Sequence, residues 1–142
     1  MVMTAMHHYR KTIKKYRERQ NLQDCPFCAA ATQAKAVKET LHSYIVPNLT
    51  QYDLWELHEV TDHLLVIPKR HVKSLQELSD EERLDIMNLA AEYDSQGYSM
   101  YARGVDFATR SVEHQHTHLI KASNKRPRLA LFLRKPYIVI KL

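Results

Sequence analysis

The chain has no run of about 18 apolar residues, so nothing in it reads as a bilayer-spanning helix and no membrane partner is expected. Its opening stretch, MVMTAMHHYRKTIKKY, lacks the uninterrupted apolar core and small-residue cleavage site of a secretory signal, which points to the cytoplasm. Repeats, low-complexity tracts and a linker to a second globular domain are missing too. Cysteine occurs only at Cys25 and Cys28, too sparsely for a disulfide framework. At 142 residues none is needed, because a chain of that length buries a core of its own.

Acidic residues are missing from one region entirely. Residues 121–142 carry seven bases and no acid, residues 1–20 carry six bases against Glu18, and the hundred residues between carry eight bases against fifteen acids. Basic ends around an acidic middle fit a contact with a polyanion such as nucleic acid or polyphosphate. They fit equally well solvated faces that keep the chain in solution.

Residues 5–20 read as a helix, with Tyr9, Ile13 and Tyr16 on one stripe. This divides the chain into a basic N-terminal helical extension, 1–22, and one domain, 23–142. The stretch AAATQAKAVKETL fits a helical turn or a loop. HSYIVPN and YDLWELHEV have the β-branched and aromatic content of strands, with a break at Pro47 and Asn48, and the apolar run at 64–67 is a buried strand closed by Pro68. In LSDEERLDIMNLAAEYDSQG, Ser79 stands three residues before Glu82 as a capping box, and Asp80 and Glu81 suit the positive end of the helix dipole. Ile86, Leu89, Ala90 and Tyr93 then share one face, and Gly97 ends the helix. Apolar runs on either side of 134–136 make a hairpin. Strands with one long helix between them predict an antiparallel α+β fold rather than alternating βαβ units.

Two clusters carry chemistry. Cys25 and Cys28 in DCPFC are spaced as a metal pair or a redox dithiol; two thiolates do not complete a tetrahedral shell, so a metal would need ligands from elsewhere. In SVEHQHTHLIK, His114, His116 and His118 alternate, which on a strand lines them along one face about 6 to 7 Å apart. Three such imidazoles can hold a metal, relay a proton, or supply a nucleophile beside its own acid and base.

HQHTHLI, with SV ahead of it, resembles the histidine-triad (HIT) motif, DHLLVIPKRH resembles that family's other signature, and CPFC is similar to its zinc-carrying branch. The resemblance implies a HIT-like antiparallel meander, a homodimer, and a nucleotide hydrolase or transferase. It makes His116 the nucleophile on a nucleotide α-phosphate, with a covalent nucleotidyl-histidine intermediate, and His118, His63 and Ser111 its companions at the phosphate or leaving group. It makes Cys25, Cys28, His71 and His114 the ligands of a structural zinc. The triad's third position is typically glutamine in the transferase branches, so His118 favours hydrolysis of a nucleoside phosphoramidate or dinucleoside polyphosphate. A transferase to phosphate or a sugar phosphate and a largely non-catalytic nucleotide- or RNA-binding module are the alternatives.

The pattern also departs from the family. Where many relatives carry glycine and glutamine before Ser-Val, this chain has Thr109 and Arg110, and eleven residues before His114 it has Arg103 in place of an amide. The two arginines could grip a highly charged polyphosphate or sit in surface ion pairs. Asp53, Glu56 and Glu59 do not align cleanly with the family's ribose-binding acid, and Trp55 could stack on a base or belong to the core.

Overall fold

The computed structural model describes Met6, His7 and residues 25–126. Apart from Met6 and His7, the helix expected over 5–20, like the hairpin at 134–136 and most of the basic termini, lies outside the described residues. In chain order the elements are β1 (Met6–His7), α1 (Ala30–Gln33), β2 (Lys38–Glu39), β3 (Ser43–Pro47), β4 (Leu54–Trp55), β5 (His58–Pro68), α2 (Asp80–Asp94), β6 (Ser99–Tyr101) and β7 (Thr117–Ala122). This is an antiparallel α+β fold with one long helix. Met6 and His7 correct one expectation: they pair as a strand with Trp55 and Leu54 rather than starting a helix.

The described residues divide into two units, 25–48 with 64–120 and 6–7 with 49–63 and 121–126; β5 and β7 each run from one unit into the other. In the larger unit β3 lies antiparallel to the end of β5, from Ser43 opposite Pro68 to Pro47 opposite Leu64. Alternate residues explain why 64–67 is continuously apolar. Leu64 and Val66 join Ile45, Ile86, Leu89, Ala90 and Leu119 in one cluster under α2, while Leu65 and Ile67 join Tyr44 and Val46 on the other side, against Phe27 and Ala36. A strand covered on both faces needs no polar alternation.

Helix α2 begins as its sequence specifies. Ser79 Oγ accepts the Glu82 N–H, and the Glu82 carboxylate accepts the Ser79 N–H at 2.7 Å. Arg70 adds two bonds to that carboxylate, from Nε at 3.0 Å and Nη2 at 2.7 Å, which ties the loop after β5 to the helix start. Past the helix end, Gly97 adopts φ 87°, a left-handed conformation open to glycine without a Cβ penalty, and donates its N–H to the Asp94 carbonyl.

In the smaller unit YDLWELHEV is not one strand. β4 and β5 form a hairpin, with Trp55 opposite His58, so Glu56 and Leu57 make a two-residue turn at φ 49° and 65°. Such turns favour Asn-Gly because both residues need positive φ, so Glu-Leu carries no turn signal at the level of sequence. Trp55 stacks on Tyr52, with ring centroids 6.5 Å apart and planes 6° apart.

Candidate active site and metal centre

In the larger unit the loop before α1 meets the loop after β5 and the segment entering β7. The ligand atoms of Cys25, Cys28, His71 and His114 all lie within 4.8 Å of one another, an arrangement that could hold a metal ion. His114 Nδ1 is 3.5 Å from both sulfurs, and His71 Nδ1 is 3.2 Å from Cys28 Sγ. His114 Nε2 donates to the Pro68 carbonyl at 2.9 Å, which turns the Nδ1 lone pair toward the sulfurs. Burial pushes the Cys28 thiol up, helped by the hydrogen bond and charge of Cys25. A cation between the two sulfurs would reverse that balance.

The cysteine loop is anchored from several directions. Tyr44 donates its hydroxyl to the Phe27 carbonyl, and burial holds that phenol well above its usual range. Thr32 Oγ1 donates to the Pro26 carbonyl at 2.6 Å. Phe27, fixed between the two cysteines, meets His116 edge-on with ring centroids 5.0 Å apart. Nothing in its residue type announced this role; its position inside CPFC was the available signal.

The histidine segment departs from the expected strand. β7 starts at Thr117, so of the three alternating histidines only His118 is in the ladder, opposite Tyr101. Long-range bonds take His114 and its neighbour out of it: the His114 ring turns to the cysteine loop, and Gln115 donates its N–H to the Val72 carbonyl at 2.7 Å. Residues 114–120 are all buried, and the His116 and His118 ring centroids are 5.0 Å apart.

His116 Nδ1–H donates to the His114 carbonyl at 2.8 Å, which leaves the lone pair on Nε2. Burial is the main cause that pushes this imidazole down to about 4; the bond to the carbonyl opposes it, and the charges of Arg110 and Arg103 add to it. The ring is therefore neutral at pH 7, the state that carries a nucleophilic lone pair. Burial also lowers His114.

The other expected residues are distributed as follows. The His118 ring lies 5.5 Å from Tyr101, and the Arg103 guanidinium lies 5.8 Å from the same Tyr101 ring while donating to the Thr109 carbonyl at 2.9 Å. Arg110 is bonded to the carbonyls of Lys73, Val112 and Glu113 and to the Gln115 side chain. Ser111 is exposed. His63 belongs to the other unit, where it is buried and its Nδ1 accepts the Tyr52 N–H at 3.1 Å.

A family model of the HIT domain matches residues 59–125. Adenosine 5'-monophosphoramidase hnt1 of Schizosaccharomyces pombe is 34% identical over 67 residues, which are 44% of this chain and 50% of that protein. The chain thus spans half the length of the curated relative it matches. Among solved structures, a HIT family hydrolase from Clostridium thermocellum is similar with a TM-score of 0.54 at 17% identity, over 77% of this chain and 99% of that one. A HIT family protein from Bacillus anthracis has a TM-score of 0.56 at 21% identity over 80% and 84%, and a hypothetical protein from Leishmania major 0.57 at 25% over 72% and 77%. The fold is that of the HIT structures, and residues 59–125 are similar to the HIT domain.

Proposed function

We propose that this chain, similar to HIT proteins through residues 59–125, is a nucleotide hydrolase that cleaves a phosphorus–nitrogen or phosphoanhydride bond at a nucleotide α-phosphate. The observation that carries the reading is the bond from His116 Nδ1–H to the His114 carbonyl, which commits Nε2 to act as nucleophile. In the first step Nε2 attacks phosphorus, the bond to the leaving group breaks, and a proton passes to the departing nitrogen or oxygen. His118, one step along and with its ring 5.0 Å away, is the candidate donor of that proton. The nucleotidyl-imidazole keeps its Nδ1–H on the His114 carbonyl, so its positive charge has a fixed acceptor. Water then attacks phosphorus, nucleoside monophosphate leaves, and the neutral ring returns. His63, Ser111 and Arg103 are proposed companions, the first two at phosphate or leaving group and Arg103 on the substrate side, where the sequence placed Arg110 as well. Arg110, however, is occupied with carbonyls.

The ion at the four-residue cluster is proposed to be zinc. Two sulfurs and two imidazoles suit it, and bonds of about 2.3 and 2.0 Å at the tetrahedral angle put sulfur and nitrogen about 3.5 Å apart. The separations here are 3.2 to 3.5 Å. With four protein ligands such an ion is structural and clips the cysteine loop to the segment that bears His116. A cytoplasmic location, which keeps such thiols reduced, and a homodimer complete the proposal; light scattering tests the second.

The S. pombe relative's name specifies adenosine monophosphoramidate, which makes adenosine phosphoramidate the first substrate to test. Pure protein is expected to release adenosine monophosphate, and His116→Ala to lose more than about 10³-fold of that rate. Mass spectrometry of acid-free quenched reactions is expected to find a nucleotidyl adduct on His116. Equal inactivity of both proteins over a panel of phosphoramidates and dinucleoside polyphosphates would refute the hydrolase reading. Faster turnover with added phosphate or sugar phosphate would identify a transferase instead.

A further inference from the structure

Charge alone lets Arg110 grip a polyphosphate or join a surface ion pair, and its surroundings answer neither expectation. We propose that Arg110 is a positioning residue whose guanidinium braces the His71 loop against the segment bearing His114 and His116, holding the metal centre and the nucleophile in register rather than gripping substrate. The inference rests on the metal and nucleophile readings given above.

The geometry is a fork between two loops. Nη2 donates to the Lys73 carbonyl at 2.6 Å and to the Glu113 carbonyl at 2.5 Å, with the Gln115 side-chain oxygen at 3.3 Å sharing its hydrogens, and Nε donates to the Val112 carbonyl at 3.2 Å. Lys73 follows the proposed ligand His71 by two residues, and Glu113 immediately precedes His114. Gln115 sits between His114 and His116, so one planar group meets the chain on both sides of the metal ligands and beside the nucleophile.

Besides the contact of the His71 and His114 rings themselves, with centroids 4.6 Å apart, an ion pair and a main-chain hydrogen bond join these loops, and neither substitutes for it. The Lys73–Glu113 ion pair has side chains 58% and 73% exposed, where water screens the attraction and the pair adds little. The Gln115 N–H to Val72 carbonyl bond fixes one point and leaves the loops free to pivot about it. Among the described residues, only the guanidinium links the carbonyls of Lys73, Val112 and Glu113 through a rigid plane. A lysine, with one nitrogen and no plane, cannot reproduce that fork.

The test uses the full zinc-loaded chain, with Arg110→Ala and Arg110→Lys. Zinc transfer to a chromogenic chelator is timed, and kcat and KM are measured on adenosine phosphoramidate. Both variants are expected to lose zinc roughly 10- to 100-fold faster, the range typical when a group that orients metal ligands is removed. They are also expected to lower kcat with KM changed by less than about twofold. Low millimolar methylguanidinium is expected to slow zinc loss and restore kcat in Arg110→Ala, and to do neither in the wild type. Wild-type zinc retention in the variants, or a raised KM at unchanged kcat, overturns the proposal. If Arg110→Ala does not fold, Arg110→Lys decides alone, since lysine performing as well as arginine removes the need for the fork. A wild type that holds zinc but turns over no nucleotide refutes the hydrolase reading while the zinc-transfer arm still judges the brace. A wild type that takes up no zinc overturns both the metal reading and the brace.

Discussion

Replacing Glu82 by glutamine removes one charge and almost no volume at the junction of the β5 exit loop and α2. The wild-type carboxylate accepts two bonds from Arg70 and one from the Ser79 N–H. The Arg70 bonds are the larger cause, and the Ser79 N–H the next, of a carboxyl held down at about 2 from its ordinary 4.5. Arg70 is 53% exposed by its side chain, so water screens the pair and its full Coulomb value does not apply. Two charge-assisted bonds at a discounted ~1 kcal/mol each give a cost of about 2 kcal/mol for Glu82→Gln. At roughly 3 to 4 °C per kcal/mol for a domain of this size, the variant should melt about 6 to 8 °C lower at pH 7. The sign with pH follows from a depressed pKa: the contribution is complete above 4.5 and is lost as pH falls toward 2, where the folded carboxyl takes up its proton. Thermal melts of the two proteins from pH 7 to pH 2.5 should therefore converge. A gap below about 2 °C at pH 7, or a gap at pH 2.5 as wide as at pH 7, would refute the reasoning.

The His116 imidazole, held at about 4, should keep single-turnover adduct formation nearly flat from pH 8 to 5 and let it fall only as pH drops through about 4. At pH 5.5 that is about tenfold more neutral ring than a pKa of 6.5 allows, so a rate halved near pH 6.5 would contradict it. Stripping the metal with a chelator should lower the melting temperature by roughly 10 °C or more, because even a third of the usual 10–16 kcal/mol of zinc binding is a large share of domain stability; an unchanged melt would count against the site. Glu56→Asn with Leu57→Gly should raise stability by about 1 kcal/mol, since both residues hold positive φ at a cost of roughly 1–2 kcal/mol each and Leu57 loses some packing in exchange. Urea titration measures it, and a destabilised double variant would show that the turn is not strained.

Several features were legible because they are local. The capping box lies within four residues, the α2 face within eight, and the double burial of β5 in an unbroken run of four apolar side chains. The cysteine pair and the alternating histidines were legible as metal-binding donor types at short spacing, but the full set of Cys25, Cys28, His71 and His114, whose ligand atoms do converge, came only through the family resemblance. The turn at Glu56 and Leu57 escaped notice because its conformation is imposed by strand pairing against the preference of those residues.

What the order of residues determined by itself was the inventory: which elements form, which faces are apolar, and which side chains are able to bind a metal or attack phosphorus. Tertiary structure alone decided how those side chains act. The segment that carries the His114 carbonyl, which accepts from His116 Nδ1 and leaves Nε2 free, meets through the His114 ring a loop 89 residues away in sequence, and Arg110 becomes a brace through a carbonyl 37 residues distant. Hydrogen bonds to main-chain carbonyls leave no mark on residue type, because every residue carries the same acceptor, so only the fold says which one is met.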